Sequence, residues 1–215
     1  MTDFDLKAEN VHLWRGDHHV LRGVRFQVAG GECLQLTGAN GAGKTTLLRT
    51  ACGLAYPERG EITWCGLNIR EDLHAFHAQL AYLGHEPPLK AELTVRENLH
   101  YWVGVRRRLR REELDRALER VGAGEWADRP VRTLSAGQKR RAALAGLTVM
   151  HTPLWLLDEP TTHLDAEGRK LVGTLIDEHL QAGGIAVAAV HQELALSGGG
   201  QAVRRLELAL AGVDA

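Results

Sequence analysis

The segment from Leu36 to Leu48 (L-T-G-A-N-G-A-G-K-T-T-L-L) has the residue types and the spacing of a phosphate-binding loop. Gly38, Gly43 and the pair Lys44-Thr45 match the pattern G-x-x-x-x-G-K-[ST]. The glycines let the backbone curl so that its N–H groups point at phosphate oxygens, the lysine adds a positive charge, and the threonine hydroxyl can ligate Mg²⁺. A plain glycine-rich turn is the alternative, which the four matched positions disfavour. The residues predicted to bind a nucleotide in this loop are Gly38, Asn40, Gly41, Ala42, Gly43, Lys44, Thr45 and Thr46.

Two acidic residues follow a second apolar run, Leu154–Leu157. Asp158 is predicted to hold Mg²⁺ or its water shell, and Glu159 to orient and deprotonate an attacking water, a role worth roughly 10²–10⁴ in rate. Two acids at the start of a loop are common in isolation, but the phosphate loop in the same chain favours the catalytic interpretation. His191, which ends the run Ile185–Val190, could hydrogen-bond the γ-phosphate or the water. The predicted catalytic residues are therefore Glu159, His191 and Lys44, and the predicted Mg²⁺ ligands are Thr45 and Asp158.

The sequence Leu134–Gln138 (L-S-A-G-Q) predicts a second helix N-terminus that suits a phosphate. Ser135 and Gln138 have the spacing of a capping box, and the helix that they open would run through Lys139–Val149. Gly137 leaves the backbone bare at this end. One phosphate loop cannot use two such helix ends on the same nucleotide unless the second end comes from another molecule. A plain helix cap is the alternative interpretation.

The elements that must position these residues are short apolar strands and the helices between them. Cys33–Leu36 is predicted as the strand before the phosphate loop, and Lys44–Cys52 as the helix after it. The runs 154–157 and 185–190 are apolar throughout, which is typical of a parallel sheet covered by helices on both faces. Ligands gather at the carboxyl ends of such strands. Further strands are predicted at Glu61–Cys65, Ala78–Leu83 and Val203–Leu208, the last of them at a sheet edge.

Three other regions complete the predicted organisation. Two alternating stretches, Leu6–Leu13 and Val20–Val28, indicate an antiparallel hairpin. The paired prolines in Gly84–Pro88 predict an exposed connector. Helices follow from Leu93 to about Ala127, and a T-x-x-E capping box at Thr94 begins them.

Charge and hydropathy limit the classes of partner. Arg106–Arg111 is the densest run of charge, which could face an anionic partner or a membrane surface; a solvated helix end balanced by Glu112 and Glu113 is the favoured interpretation. The net charge of −1 provides no electrostatic case for nucleic acid as a partner. No apolar run approaches the roughly 18–20 residues that span a bilayer. We expect neither a signal peptide at the N-terminus nor a further domain after Leu208.

Together and in this order, these motifs resemble those of the ATP-binding subunits of ABC transporters, over nearly all of the chain. L-S-A-G-Q resembles the family's signature motif, and the other matches are Gly38–Thr45 (Walker A), Leu154–Glu159 (Walker B), Thr161–Asp165 (D-loop) and His191 (switch histidine). The resemblance implies an α/β fold, with a P-loop NTPase (RecA-like) core, an antiparallel β subdomain and a helical subdomain. The chain would form a single ATP-binding domain over 1–215, with its core at about 1–85 and 146–215 and its helical signature subdomain at about 86–145.

The resemblance also implies cofactors, partners and further site residues. It predicts a head-to-tail homodimer that holds two ATP molecules and their Mg²⁺ ions, with the signature residues of one chain closing on the nucleotide of the other. Hydrolysis would reopen the dimer, and the connector around His85–Pro88 would transmit this conformational change to integral-membrane subunits. The protein would be bound peripherally at the cytoplasmic face of the inner membrane. The further residues that this arrangement assigns to nucleotide binding are Ser135, Gly137, Gln138 and Asp165.

Two departures from the family pattern narrow the assignment. His85 stands where the family usually has a glutamine that contacts the γ-phosphate and Mg²⁺, so His85 is a further candidate for those contacts. Arg15 stands where an aromatic residue normally stacks on adenine, with Trp14 beside it, and its planar guanidinium could stack on the base instead. These substitutions, with Tyr82–Pro87 and Gly183–Ile185, are similar to the haem-exporter ATP-binding subunits of cytochrome c maturation.

The leading hypothesis is therefore an ATPase that drives a membrane complex of cytochrome c biogenesis and couples hydrolysis to haem export or to release of a haem-loaded chaperone. The nearest alternative is the ATP-binding subunit of another small exporter. A soluble switch acting on ribosomes or DNA is disfavoured, because such proteins usually carry two cassettes or a long coiled insertion. A non-hydrolytic nucleotide-binding scaffold is disfavoured because Glu159 and His191 are both present.

Overall fold

Residues 4–196 and 203–209 are described by the computed structural model, and they form two sheets and six α-helices. The strands are β1 (Asp5–Arg15), β2 (His18–Ala29), β3 (Cys33–Thr37), β4 (Arg59–Trp64), β5 (Leu67–Asn68), β6 (Leu80–Leu83), β7 (Leu154–Asp158), β8 (Ile185–Ala189) and β9 (Val203–Glu207). The helices are α1 (Lys44–Ala51), α2 (Leu73–Ala78), α3 (Val95–Gly104), α4 (Arg111–Arg120), α5 (Ala136–Met150) and α6 (Ala166–Gln181). Two 3₁₀ turns occur at Gly124–Trp126 and Val131–Thr133.

A parallel sheet in the order β6-β7-β8-β3-β9 forms the centre of the protein. Every residue of β7 and β8 is buried, because successive side chains point to opposite faces and both faces are covered. On β7, Leu154 and Leu156 pack into the cluster that contains α1 and the antiparallel sheet, whereas Trp155 and Leu157 pack into the cluster with helices α3–α6. The prediction of strands covered on both faces is confirmed, and β9 lies at the sheet edge as expected.

The second sheet is antiparallel and has the order β2-β1-β4-β5. The predicted hairpin is confirmed as β1 and β2, whose pairing shifts register after Ala8, Val11 and Leu13. The last of these shifts sets Trp14 opposite His19 and Arg15 opposite His18 at the tip of the hairpin. The end of β1, including Arg15, therefore lies outside the apolar core against which the rest of the strand packs.

The helical part of the chain is built on two capping boxes that the sequence predicted. Thr94 and Ser135 each accept a hydrogen bond from the backbone N–H three residues later and are capped in return by Glu97 and Gln138. The stretch predicted as helical from Leu93 to Ala127 is interrupted, however, because residues 105–110 form no helix between α3 and α4.

The arginine run fills this interruption and ends at Arg111, the first residue of α4. All its arginines except Arg107 are exposed, and Glu112 and Glu113 lie in the first turn of α4, in agreement with the predicted solvated helix end. Arg106 Nη1 donates to the carbonyl of Leu80 at 2.7 Å, and Arg107 Nε donates to the carbonyl of Val149 at 2.9 Å. Arg107 also forms an ion pair with Glu113. Two of the arginines therefore tie the interrupted segment to the core, and the expected balance of charge with Glu113 takes the form of this contact.

Several elements differ from the sequence-based expectation. The strand predicted to begin at Ala78 begins at Leu80, because Ala78 ends helix α2, which Asp72 caps through the N–H of Ala75. Sequence analysis assigned neither α2 nor α6. Within the described residues, no helix is long and apolar enough to cross a bilayer. The division into a core and a helical signature subdomain at residues 86–145 stays a prediction.

Candidate functional site

The predicted phosphate loop connects β3 to α1 as expected. Lys44, the first residue of α1, turns its ammonium back across the loop and donates to the carbonyls of Gly38 at 2.7 Å and Ala39 at 3.1 Å. Gly43 precedes the helix with φ +98°, and no side chain caps the first turn. The loop thus presents the N–H groups of an uncapped helix start, the positive end of the helix dipole and a lysine, all of which attract an anion.

Gly38 is required at the start of the loop because another part of the chain lies against it. Its φ is +128°, and a Cβ at this position would overlap the carbonyl oxygen of Leu208. The N–H of Leu208 in turn donates to the carbonyl of Thr37 at 2.9 Å, so the residues after β9 hold the entrance of the loop. A larger residue at position 38 would have to displace this contact.

Asp158 and Thr45 form an oxygen pair beside the loop. The hydroxyl of Thr45 donates to Oδ1 of Asp158 at 3.1 Å. Asp158 is 1% exposed, its Oδ2 has no hydrogen-bond partner among the described residues, and burial raises the pKa of its carboxyl group. A buried carboxylate oxygen without a partner is costly, and a hard cation would satisfy it. The hydroxyl and carboxylate therefore fit the donor set that Mg²⁺ prefers.

Glu159 lies at the end of β7 with its carboxylate held by three side chains. His191 Nε2 is 2.6 Å from Oε1, His85 Nδ1 is 3.4 Å from Oε2, and the hydroxyl of Thr162 donates to Oε2 at 3.2 Å. Burial alone would raise the pKa of Glu159, but His191, Thr162 and His85 together bring the pKa below its ordinary value. The carboxylate is therefore ionised at neutral pH, which is the form that a general base needs.

The signature segment and the D-loop meet at a separate place. Ser135 and Gln138 begin α5, and a Cβ on Gly137 would lie 2.8 Å from the carbonyl oxygen of His163. Asp165 caps α6 through the N–H of Gly168. The cavity between these elements has a volume of about 490 Å³, and its lining contains no residue of the phosphate loop.

An ion pair links the two sides of this cavity: Arg141 Nη2 donates to Oδ1 of Asp165 at 3.0 Å. The four residues that the resemblance added to the nucleotide site, Ser135, Gly137, Gln138 and Asp165, are thus brought together with each other. Thr162 and His163 lie within the Thr161–Asp165 segment that the sequence matched to the D-loop, but the contact of Thr162 with Glu159 and the close approach of the His163 carbonyl to Gly137 were not predicted. The place of Arg141 in the cavity lining was not predicted either. The contacts of Arg141 with Asp165 and of His163 with Gly137 join segments that are distant in the chain, whereas Thr162 lies only three residues after Glu159.

The tip of the first hairpin carries a stack of rings beside Arg15. Trp14 lies parallel to His19, with ring centroids 3.8 Å apart and an angle of 5° between the planes, and His12 stacks on the same pair. Arg15 is exposed at the end of β1. One face of the Trp14 ring is therefore covered by His19. The assignment of Arg15 to adenine stays a prediction.

Comparisons with known proteins agree with this arrangement. Residues 21–162 match the family described as ABC transporter. The chain is 45% identical over 92% of its length to the cytochrome c biogenesis ATP-binding export protein CcmA of Methylococcus capsulatus, covering 96% of that protein. It is 42% identical to the protein of the same name from Salmonella typhi, over 94% of this chain and 96% of that one.

A solved structure shares the fold as well. The structure of cbiO1 from Clostridium perfringens, described as part of the ABC transporter complex cbiONQ, superposes with a TM-score of 0.74 and 30% identity, over 88% of this chain and 79% of that one. The match to the family and the identity to curated relatives extend over most of the chain. This chain therefore belongs to the ABC transporter family and, within it, to the CcmA group of cytochrome c biogenesis ATP-binding export proteins.

Proposed function

We propose that this protein hydrolyses ATP at sites shared between two copies of the chain and that hydrolysis drives a membrane complex of cytochrome c biogenesis. The observation that carries the proposal is the separation of two phosphate-binding groups within one chain. Lys44 lies in the loop and helix after β3, and Asp158 and Glu159 lie at the carboxyl end of β7. Ser135 and Gly137 instead line a cavity whose lining contains no residue of the phosphate loop. A second copy placed head to tail would bring its signature cavity onto the loop of the first.

Within such a site, each residue of the loop and strand ends has a distinct role. Lys44 would exchange the carbonyls of Gly38 and Ala39 for the β- and γ-phosphate oxygens. Thr45 and Asp158 would hold Mg²⁺, which when bound withdraws charge from the phosphate oxygens. Glu159 would take a proton from the water whose oxygen attacks the γ-phosphorus, while the bond from that phosphorus to the ADP oxygen breaks.

Three further residues complete the proposed site. His191 Nε2 lies 2.6 Å from Oε1 of Glu159, and it would hydrogen-bond the γ-phosphate or the attacking water. His85 approaches the same carboxylate at 3.4 Å and would occupy the place of the family's glutamine, next to Mg²⁺ and the γ-phosphate. Arg15 would place its guanidinium plane against adenine at the tip of the hairpin.

The names of the relatives indicate the process that this ATPase serves. Both curated relatives are cytochrome c biogenesis export proteins. We propose that the chain binds membrane subunits at the cytoplasmic face of the inner membrane through the connector around His85–Pro88, and that hydrolysis is coupled to haem export or to release of a haem-loaded chaperone. Co-purification in detergent tests this assignment: hydrophobic subunits of a haem pathway are expected, and a sugar or lipid permease in their place would overturn it.

A crystal structure with a slowly hydrolysed ATP analogue and Mg²⁺ tests the shared site. We expect Ser135 and Gly137 of one copy to contact the triphosphate bound by Lys44 of the other. A triphosphate that lies remote from Ser135 in every neighbouring copy would contradict the proposal.

A further inference from the structure

The side chain of Arg140 is buried between the signature helix and the catalytic end of the sheet. It is 1% exposed and lies on α5, five residues after Ser135. Its Nη1 donates to the carbonyl of Gly84 at 2.9 Å, and its Nη2 donates to the carbonyls of His85 at 2.9 Å and Glu159 at 3.1 Å. One guanidinium thus joins three segments that are far apart in the sequence.

The partners of Arg140 are main-chain carbonyls rather than carboxylates. The carbonyl of Asp158, at 3.5 Å from Nη2, is a fourth and weaker acceptor. Contacts of this kind fix the course of the backbone and leave the side chains of the same residues free for other partners. The two forked nitrogens of a planar guanidinium can serve both segments at once, which a lysine ammonium cannot do with the same geometry.

The residues held in this way are the ones whose side chains meet in the site. Glu159 has φ +50°, a conformation that non-glycine residues keep only where the surrounding structure enforces it. Its N–H donates to the carbonyl of Ala189 at 3.0 Å, and its own carbonyl accepts from Arg140. The carbonyl of His85 accepts from the same nitrogen, and the His85 ring reaches the Glu159 carboxylate at 3.4 Å.

We propose that Arg140 is a positioning residue for ATP hydrolysis, which ties the backbones of His85 and Glu159 to the signature helix so that the Glu159 carboxylate is aimed at the attacking water. The role rests on the function proposed above, since it presupposes that Glu159 is the general base. Because Ser135 caps α5 and Arg140 lies on it, one helix connects the end offered to the partner's nucleotide with the catalytic end of the chain's own sheet.

Kinetics of Arg140→Gln and Arg140→Lys test the proposal, with Arg106→Gln as the matched control. Arg106 also reaches from the helical part of the chain to a main-chain carbonyl, that of Leu80 at 2.7 Å, but at the opposite end of β6 from the His85 segment. A displacement of the base by about 1 Å costs up to ~100-fold in rate. We therefore expect kcat of both Arg140 variants to fall between about 10-fold and 100-fold, with KM and the affinity of the single chain for ATP changed less than about threefold.

The control variant is expected to lose stability while keeping its kcat within about twofold per folded molecule. If the Arg140 variants lose only stability and keep the kcat of the control, Arg140 is merely structural and the inference is wrong. Arg140→Lys retains the buried positive charge and is the deciding variant if Arg140→Gln does not fold. A wild-type protein without ATPase activity would contradict the proposed function itself, whereas an active wild type with unaffected Arg140 variants would overturn this inference alone.

Discussion

Helices α1 and α5 both begin at a predicted phosphate site, but their first turns are satisfied in different ways. At α1, Gly43 offers no side-chain cap and the ammonium of Lys44 donates to two carbonyls of its own loop. At α5, Ser135 and Gln138 cap each other's backbone in a complete box. The first helix end has no side-chain cap, and beside it lies Oδ2 of Asp158, which has no hydrogen-bond partner among the described residues. At the second end, the capping box satisfies two of the N–H groups, those of Ser135 and Gln138.

From their sequence motifs alone, both helix ends are predicted to contact phosphate, but this difference indicates separate roles for them. A helix end without a cap gains its missing partners from a bound anion, so the phosphate loop is expected to bind nucleotide in a single chain. The end of α5 is already stabilised in part by its own capping box, and its cavity contains no residue of the phosphate loop, so it is expected to bind a triphosphate only when a second copy presents one. The following changes are chosen to test this distinction.

Replacement of Lys44 by alanine is expected to have the largest effect. The change removes the only side-chain charge of the loop, so binding of ATP to the single chain is lost and hydrolysis falls by at least about 10²–10³-fold. A nucleotide-binding titration measures the loss. Arg49→Ala, at the exposed far end of the same helix, is the control and should bind ATP like the wild type. If Lys44→Ala bound ATP as tightly as the wild type, the expectation that the phosphate loop binds nucleotide in a single chain would be wrong.

Replacement of Glu159 by glutamine should separate binding from hydrolysis. Glutamine cannot accept the proton of the attacking water, so the rate falls by roughly 10²–10⁴ while ATP binding persists. Because the closed dimer cannot discharge its nucleotide, gel filtration with ATP and Mg²⁺ should show a dimer, and without ATP a monomer. Glu119→Gln, on the exposed side of α4, should hydrolyse ATP normally. A Glu159→Gln protein that stays monomeric with ATP would contradict the shared site.

Replacement of Ser135 by alanine tests the second helix end against a matched capping box. Ser135→Ala and Thr94→Ala each remove an N-cap, and each should lower the free energy of unfolding by about 1 kcal/mol. Only the Ser135 variant should also weaken the ATP-dependent dimer, which sedimentation of both proteins in the Glu159→Gln background would measure. Equal effects of the two variants on dimerisation would show that α5 has no special role at the interface.

A smaller effect, away from both helix ends, concerns acid stability. His179 stacks on Trp155 with centroids 4.0 Å apart, and burial lowers its pKa to about 4. The unfolded histidine titrates near 6.5, so the folded protein binds fewer protons between these values, and stability is lost as the pH falls from about 6.5 toward 4. Because of this residue, the free energy of unfolding measured in urea should be about 2 kcal/mol lower at pH 5 than at pH 7.

The control for this prediction is His179→Phe, which keeps a ring against Trp155 but cannot take up a proton. Between pH 7 and pH 5, the free energy of unfolding of His179→Phe should fall by about 2 kcal/mol less than that of the wild type. An identical pH dependence in the two proteins would show that other groups cause the acid loss. The control matters for the larger comparison, because nucleotide-binding data collected at low pH would otherwise include partial unfolding.

The parts of the fold and site that could be predicted are those encoded within a few neighbouring residues. The phosphate loop and both capping boxes depend on spacings of three to seven positions, and the buried strands on uninterrupted apolar runs. Helix α2 was missed because its six residues carry too little periodicity to distinguish them from a turn. The strand that follows was consequently predicted two residues too early.

Interactions between distant segments could not be predicted in this way. Arg140 stands in a run of three basic residues, K-R-R, which by itself indicates a solvated helix face. Its burial depends on carbonyls that lie 55 residues before it and 19 residues after it in the chain. The stack of His12, Trp14 and His19 likewise depends on register shifts between β1 and β2, which turn these side chains to a common face.

The contact of Leu208 with the phosphate loop has a consequence for biosynthesis. The ribosome makes Gly38 early and adds Leu208 only 170 positions later (208 − 38). Until Leu208 leaves the exit tunnel, the loop lacks two contacts. These are the Leu208 carbonyl that lies against Gly38 and the Leu208 N–H that donates to the carbonyl of Thr37. We therefore expect a nascent chain to bind nucleotide with its mature affinity only after Leu208 has emerged, long after the glycine-rich motif itself.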